Sequence, residues 1–217
     1  MRLMNKRLSL LLTGLALILI ASSGCARQAD EYVAGIDYAV LPNPIKTNAP
    51  EGQVEVLEMF WYGCPHCYHF EPYLQKWMKD KPEAAHFVHM PAVLNPSWIT
   101  HARAYYAAEQ MGVLDKFHVA LFNALHEQRR RLNSPDSLAR FAGSLGIDAD
   151  QFRKAMDSAE TNAAILEAQK VGYQSMADGV PMIVVDGKYK VTGQMAGGSY
   201  ANMLKIVNYL VAKEAAK

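Results

Sequence analysis

The chain is poor in cysteine, with three in 217 residues. That number cannot build the multi-bridge scaffold of a small secreted domain. Neither sign of charge dominates, with 22 basic and 21 acidic residues. A balance of this kind gives nucleic acid no basic face to bind, so no nucleic-acid partner is expected. Glycine and proline are too few for a disordered chain. Internal repeats and long low-complexity tracts are missing too, so solenoids and linkers are excluded. What remains is a length that can bury a real core in one domain, or in a domain with an insertion.

The longest uncharged run is short. Arg2, Lys6 and Arg7 precede Leu8–Gly24, which is rich in Leu, Ile and Ala, and small residues follow. This is the layout of a secretory signal peptide over residues 1–25. As a membrane anchor the run is marginal against a hydrocarbon core of about 30 Å. Removing residues 1–25 leaves 19 basic and 21 acidic residues. Ala21-Ser22-Ser23-Gly24-Cys25 resembles a bacterial lipobox, in which Cys25 becomes the lipidated first residue, although Ser22 stands where such boxes usually hold Leu. Ordinary cleavage nearby would discard Cys25 instead. By either route Cys64 and Cys67 are the only free pair left after export. In an oxidising compartment such a pair reads as working chemistry.

The rest of the chain alternates period. Tyr38–Leu41 suggests a short strand, and Pro42, Pro44, Pro50 and Gly52 mark a loop. Val54–Phe60 is apolar on both parities, which predicts a central strand covered on both faces. Glu58 breaks that pattern and should be a buried acid, its pKa raised by desolvation. From Cys64 the period becomes helical. Phe70, Tyr73, Leu74, Trp77 and Met78 form one apolar stripe, Pro65 suits the first helical position and Pro72 should kink the helix. Ala85–Met90 reads as a second core strand, stopped by Pro91. Residues 97–177 carry only helical patterns, with Ser134-Pro135 as an N-cap signal and Gly146 as a stop. Strands return at Met182–Val185 and Lys188–Val191, joined by Asp186-Gly187, a type I′ hairpin signal. Gly197-Gly198-Ser199 opens a last helix. The predicted layout is a first α/β part at 32–96, an inserted helical block at 97–177 and a second part at 178–217. Together they give a mixed sheet with helices packed on it.

Cys64 and Cys67 stand three residues apart at the start of a helix. That spacing brings Cβ atoms within about 5–6 Å, and a small adjustment reaches the roughly 3.8 Å that a disulfide needs. The unpaired N–H groups and positive dipole end stabilise a thiolate on the first cysteine, and His66 adds to this. A stabilised thiolate favours the reduced form, so the disulfide is a readily reduced oxidant. Zinc is disfavoured because half the ligand set is missing, and His66 with His69 would crowd four ligands at one helix start. A purely structural disulfide would close too small a loop to matter. No metal ligands are assigned. Arg129-Arg130-Arg131 reads as a solvated helix end. His86, His101, His118 and His126 lack ligand spacing and read as ordinary, while Trp61, Tyr62 and Met182 are candidates for an apolar peptide-docking surface.

Phe60-Trp61-Tyr62-Gly63-Cys64-Pro65-His66-Cys67 resembles the active-site run of the DsbA family of thiol oxidases, and Gly179-Val180-Pro181-Met182 resembles that family's cis-proline loop. The similarity covers about residues 32–215. It implies a thioredoxin fold with an inserted all-helical domain. It also implies an exposed nucleophile at Cys64, a buried partner at Cys67, and substrate backbone docking at Val180-Pro181. Pro65 and His66 fill the centre of the motif. Glu58 and Glu71 match the family's two flanking acids, and His89 stands where the family carries a lysine. The resemblance further implies a periplasmic enzyme, soluble or lipid-anchored, that introduces disulfides into reduced or unfolded exported proteins. A DsbB-like membrane quinone reductase would reoxidise it. No small-molecule cofactor is implied, and a monomer is expected. The alternatives left open are a disulfide isomerase or reductase, and a peptide-binding chaperone with an idle dithiol.

Overall fold

The structure, a computed structural model, describes residues 32–217. The predicted signal peptide and Cys25 lie outside the described residues. Among those described, no helix is long and apolar enough to cross a membrane.

Five strands form one mixed sheet: β1 (Ala39–Val40), β2 (Val54–Phe60), β3 (Ala85–Pro91), β4 (Met182–Val185) and β5 (Tyr189–Thr192), in the order β1-β5-β4-β2-β3. Strands β2 and β3 are parallel, joined through helix α1 (Pro65–Asp80), as a parallel pair requires. The other neighbours are antiparallel. All seven residues of β2 are buried, as its two-sided apolar pattern predicts. One face packs Val54 and Val56 against Phe70 and Leu74 of α1 and against Met203 and Val207 of α7 (Tyr200–Ala215). The other packs Leu57 and Met59 against Met182, Val184 and Val171.

Asp186 and Gly187 both take positive φ, 51° and 61°. This is the I′ geometry that the dipeptide predicts. Glycine at 187 is also a matter of space. A Cβ there would lie 2.0 Å from the Ile45 carbonyl oxygen.

Between the halves of the sheet, a short 3-10 turn (Pro96–Trp98) leads into α2 (Ile99–Gln110), α3 (Leu114–His126), α4 (Pro135–Ser144), α5 (Ala149–Met156) and α6 (Ala159–Gln174). Their starts are written locally. Ser134, Asp148 and Ser158 each accept a hydrogen bond from the amide three residues on, and Ser134 forms a capping box with Ser137. Gly146, just past α4, takes a left-handed φ of 78°. Such a residue is a common way to end a helix. The core of this block gathers Phe117, Leu121, Phe122, Leu138, Phe141, Phe152 and Met156, and Phe60 and Tyr62 from the end of β2 enter the same cluster. Arg129-Arg130-Arg131 is exposed beyond the end of α3, as expected.

One helical face differs from expectation. Tyr73 and Met78 of α1 are 47% and 39% exposed, and the buried stripe is Cys67, Phe70, Glu71, Leu74 and Trp77. The stripe is rotated so that a carboxylate, not the tyrosine, faces inward. On α6, Leu166 is 66% exposed, off the face that buries Ile165 and Ala168. Helix α1 runs unbroken through Pro72.

Candidate active site

The dithiol sits where the central strand hands over to α1. Cys64 is the N-cap residue of that helix, in extended backbone (φ −87°, ψ 116°), and Pro65 follows at the first turn. Gly63 makes the close turn possible, since a Cβ there would strike the Trp61 ring at 2.3 Å. Trp61 lies stacked on Trp98, centroids 4.6 Å apart and planes within 5°.

Both cysteines are free thiols in this structure, and they are unequal. Cys67 is 1% exposed and Cys64 8%. The expectation of an openly exposed Cys64 is therefore corrected, because Cys64 turns toward the facing loop, its Sγ 3.4 Å from the Val180 carbonyl oxygen. The Val180–Pro181 bond of that loop is cis, matching the family pattern. Beside it a groove of about 320 Å³ is lined by His66, Val180, Pro181, Gln194 and Tyr200.

The electrostatics separate the two sulfurs. The Cys67 thiol donating to Cys64 pulls the Cys64 pKa down to about 6, against the push of burial, with help from the Cys67 and His66 amides and the His66 ring. Burial, and then the neighbouring Cys64, holds the Cys67 thiol well above its ordinary value. Of the two dithiol cysteines, alkylation of the reduced chain with iodoacetamide should therefore modify Cys64 and spare Cys67, with a rate half-maximal near pH 6. A midpoint at or above about 8.5, the value of a free thiol, would contradict this electrostatic account.

Behind the dithiol is a buried polar cluster. Strand register places Glu58 beside His89, and Glu58 is 1% exposed with its Oε2 3.0 Å from His89 Nε2. Burial raises the Glu58 pKa, with His89 opposing. Burial likewise works against a charged His89, but Glu58 and Glu71 outweigh it and raise the His89 pKa. Glu71 on α1 lies 3.9 Å from His89 Nε2 and 3.2 Å from His118 Nε2. Desolvation of Glu71 is overcome by His118 and His89, so its pKa falls. His118 Nδ1 in turn pairs with the Tyr62 hydroxyl at 2.8 Å.

The structure thus brings together Cys64, Cys67, Pro65, His66, Val180 and Pro181 at the strand-to-helix turn, with Glu58 and Glu71 behind them. It corrects two further expectations. Tyr62 and Met182 cannot form a docking surface, because both are fully buried, one bonded to His118 and the other in the sheet. Of the peptide-docking candidates only Trp61 is partly accessible. The histidines are not all ordinary, either. His118 joins the acidic cluster, His126 Nε2 lies 2.7 Å from the Tyr62 carbonyl oxygen, and His101 Nε2 lies 2.8 Å from that of Leu132. No spacing announces them, since α3 reaches α1 only in the folded chain.

A cysteine pair at the first turn of the helix after a central β-strand, faced by a cis-proline loop, defines a thiol:disulfide oxidoreductase of thioredoxin fold. Comparison with known proteins narrows the class. The family profile described as a DSBA-like thioredoxin domain matches residues 55–205. The thiol:disulfide interchange protein DsbA of Pseudomonas aeruginosa PAO1 is 38% identical over 208 residues, covering 96% of this chain and 97% of that protein. The DsbA of Azotobacter vinelandii is 35% identical, covering 95% and 96%. Crystal structures of DsbA from P. aeruginosa (TM-score 0.81, 37% identity, covering 87% of this chain and 97% of that one) and from Xylella fastidiosa (0.78, 36%, 85% and 98%) share the fold. The chain belongs to the DsbA family of thiol:disulfide oxidoreductases.

Proposed function

We propose that the chain works in the periplasm as a dithiol oxidase, donating a Cys64–Cys67 disulfide to reduced, exported proteins. The observation that carries this reading is the inequality of the two sulfurs, one anionic near neutral pH beside an open groove, the other sealed and protonated. A thiolate at Cys64 stabilises the reduced dithiol and so makes the disulfide oxidising. That favours an oxidase over a reductase.

In the proposed cycle, a substrate thiolate attacks Cys64 Sγ of the disulfide. A mixed disulfide forms, and Cys67 leaves as a thiolate that takes up a proton. A second substrate thiolate then attacks the substrate sulfur of the mixed disulfide, and Cys64 departs as a stabilised thiolate. The substrate loses two electrons and the chain gains them. Val180 and Pro181 offer backbone to the extended substrate beside Cys64, and Pro65 and His66 shape the first turn. Glu58, electrostatically linked to Cys67, would handle its proton, with Glu71 beyond it. The redox-active disulfide needs no small-molecule cofactor. Reoxidation would fall to a DsbB-like membrane quinone reductase, and the chain would act as a monomer. Cys25, if retained after export, would be the point of lipid attachment.

The test is stoichiometric. The oxidised chain, mixed without oxygen with a reduced and unfolded model protein, should transfer one disulfide per chain and end reduced. A reduction potential near thioredoxin's, about −270 mV, would overturn the oxidase in favour of a reductase.

A further inference from the structure

The polar cluster behind the dithiol is more than a pair of flanking acids. Glu71 Oε1, His89 Nε2 and His118 Nε2 come from α1, β3 and α3, and all lie within 4.8 Å of one another. Two of the separations, 3.2 Å and 3.9 Å, bracket the edge of a tetrahedral zinc site. Bonds of about 2.0–2.1 Å to His nitrogen and carboxylate oxygen put ligand atoms about 3.3 Å apart.

A second observation points the same way. Glu58 Oε2 and His89 Nε2 are buried atoms without a hydrogen-bond partner, although they lie 3.0 Å apart. Glu58 is 1% exposed, so its oxygen has no access to bulk water. Their contact is an ion pair too poorly aligned for a hydrogen bond, and it leaves His89 Nε2 short of a partner beside the Glu71 and His118 donors.

The surroundings suit ligation too. The Tyr62 hydroxyl can accept a hydrogen bond from His118 Nδ1–H, which leaves the Nε2 lone pair free for a metal. Gln75 donates to the other oxygen of Glu71 at 3.4 Å. A cavity of about 410 Å³ between α1 and α3 is lined by Tyr68, His69, Glu71, Pro72, Val119 and Phe122, so Glu71 borders open space. One carboxylate and two imidazoles are the donor set of a three-ligand zinc site. The nitrogen and oxygen donor set suits zinc better than the hard ions calcium and magnesium.

We infer that Glu71, His89 and His118 form a three-donor binding site for one zinc-class divalent ion, with a fourth position left open, behind the dithiol and separate from its sulfurs. The cysteines take no part. This departs from the sequence reading, which weighs zinc only at the dithiol, finds half the ligand set missing there and assigns no metal.

Cobalt(II), whose visible absorption reports coordination, is the probe. The experiment uses the purified chain in its oxidised form, so that no thiolate can bind. One Co2+ per chain should bind saturably, with four-coordinate absorption and no sulfur charge-transfer band, and Zn2+ should displace it. Glu71→Gln and His118→Gln should each weaken binding at least about tenfold. Should either variant fail to fold, histidine-ring NMR of the wild-type chain decides the matter. Zn2+ should move the His89 and His118 resonances. Absence of 1:1 binding, binding kept within about twofold in both folded variants, or shifts confined to His66 and His69 would overturn the site.

Discussion

Replacing Cys64 by serine should abolish disulfide transfer, lowering the rate of oxidation of a reduced substrate by roughly 10³-fold or more, as loss of a nucleophile does. A hydroxyl cannot form the disulfide, and it cannot carry charge near pH 6, where the Cys64 thiol ionises. The fold should survive. Cys64 contributes its backbone to the first turn by donating its amide N–H to the Trp61 carbonyl oxygen at 2.9 Å, a hydrogen bond serine keeps, and its side chain makes no capping hydrogen bond. The measurement is regain of activity by a reduced, disulfide-dependent substrate, with circular dichroism as the folding control. Transfer retained above about a tenth of wild type, well outside the loss expected of a nucleophile, would sink the catalytic reading. It would favour the peptide-holding alternative instead.

The second expected result is a trap. Cys67→Ser leaves Cys64 as a lone nucleophile beside the groove and removes the sulfur that would expel a bound substrate. Mixed disulfides on Cys64 should then persist at least about 100-fold longer than in the wild-type chain, because only an external thiol can resolve them. Cys67 is 1% exposed, so serine fills a sealed position of nearly the same volume and the groove is left intact. Mixing the variant with activated-thiol peptides and mapping the products by non-reducing mass spectrometry reads the outcome. Adducts no longer-lived than wild type's, or adducts away from Cys64, would reverse the assigned roles.

Much of this architecture is legible along the chain because it is written locally. Strand β2 is bounded where its two-sided apolar run begins and ends, the Asp186-Gly187 turn carries its own backbone preference, and α4 begins at its Ser134 cap. Glu58 announces itself as an acid within an apolar strand. The features that escape a reading of the chain depend on which elements meet. Helical period alone cannot choose between burying Tyr73 and burying Glu71, since the choice comes from α3 packing over α1 with His118. Tyr62 resembles a surface aromatic beside a motif, but the helical insertion closes over it. The Cys64 environment lies between these cases. Its thiolate character follows from the helix start, while its enclosure follows from a loop 116 residues away.

The link between the insertion and the sheet bears on how the molecule comes apart. Phe60 and Tyr62 belong to the same packed cluster as Phe117, Phe122 and Phe152, and His126 holds the Tyr62 carbonyl oxygen. A domain merely tethered at its two ends could melt while the sheet stayed intact. Here the helices cannot loosen without baring two large aromatic side chains of the strand that leads into Cys64. Insertion and sheet therefore form one cooperative unit, and thermal damage to the outlying helices reaches the dithiol at once rather than stopping at a domain boundary.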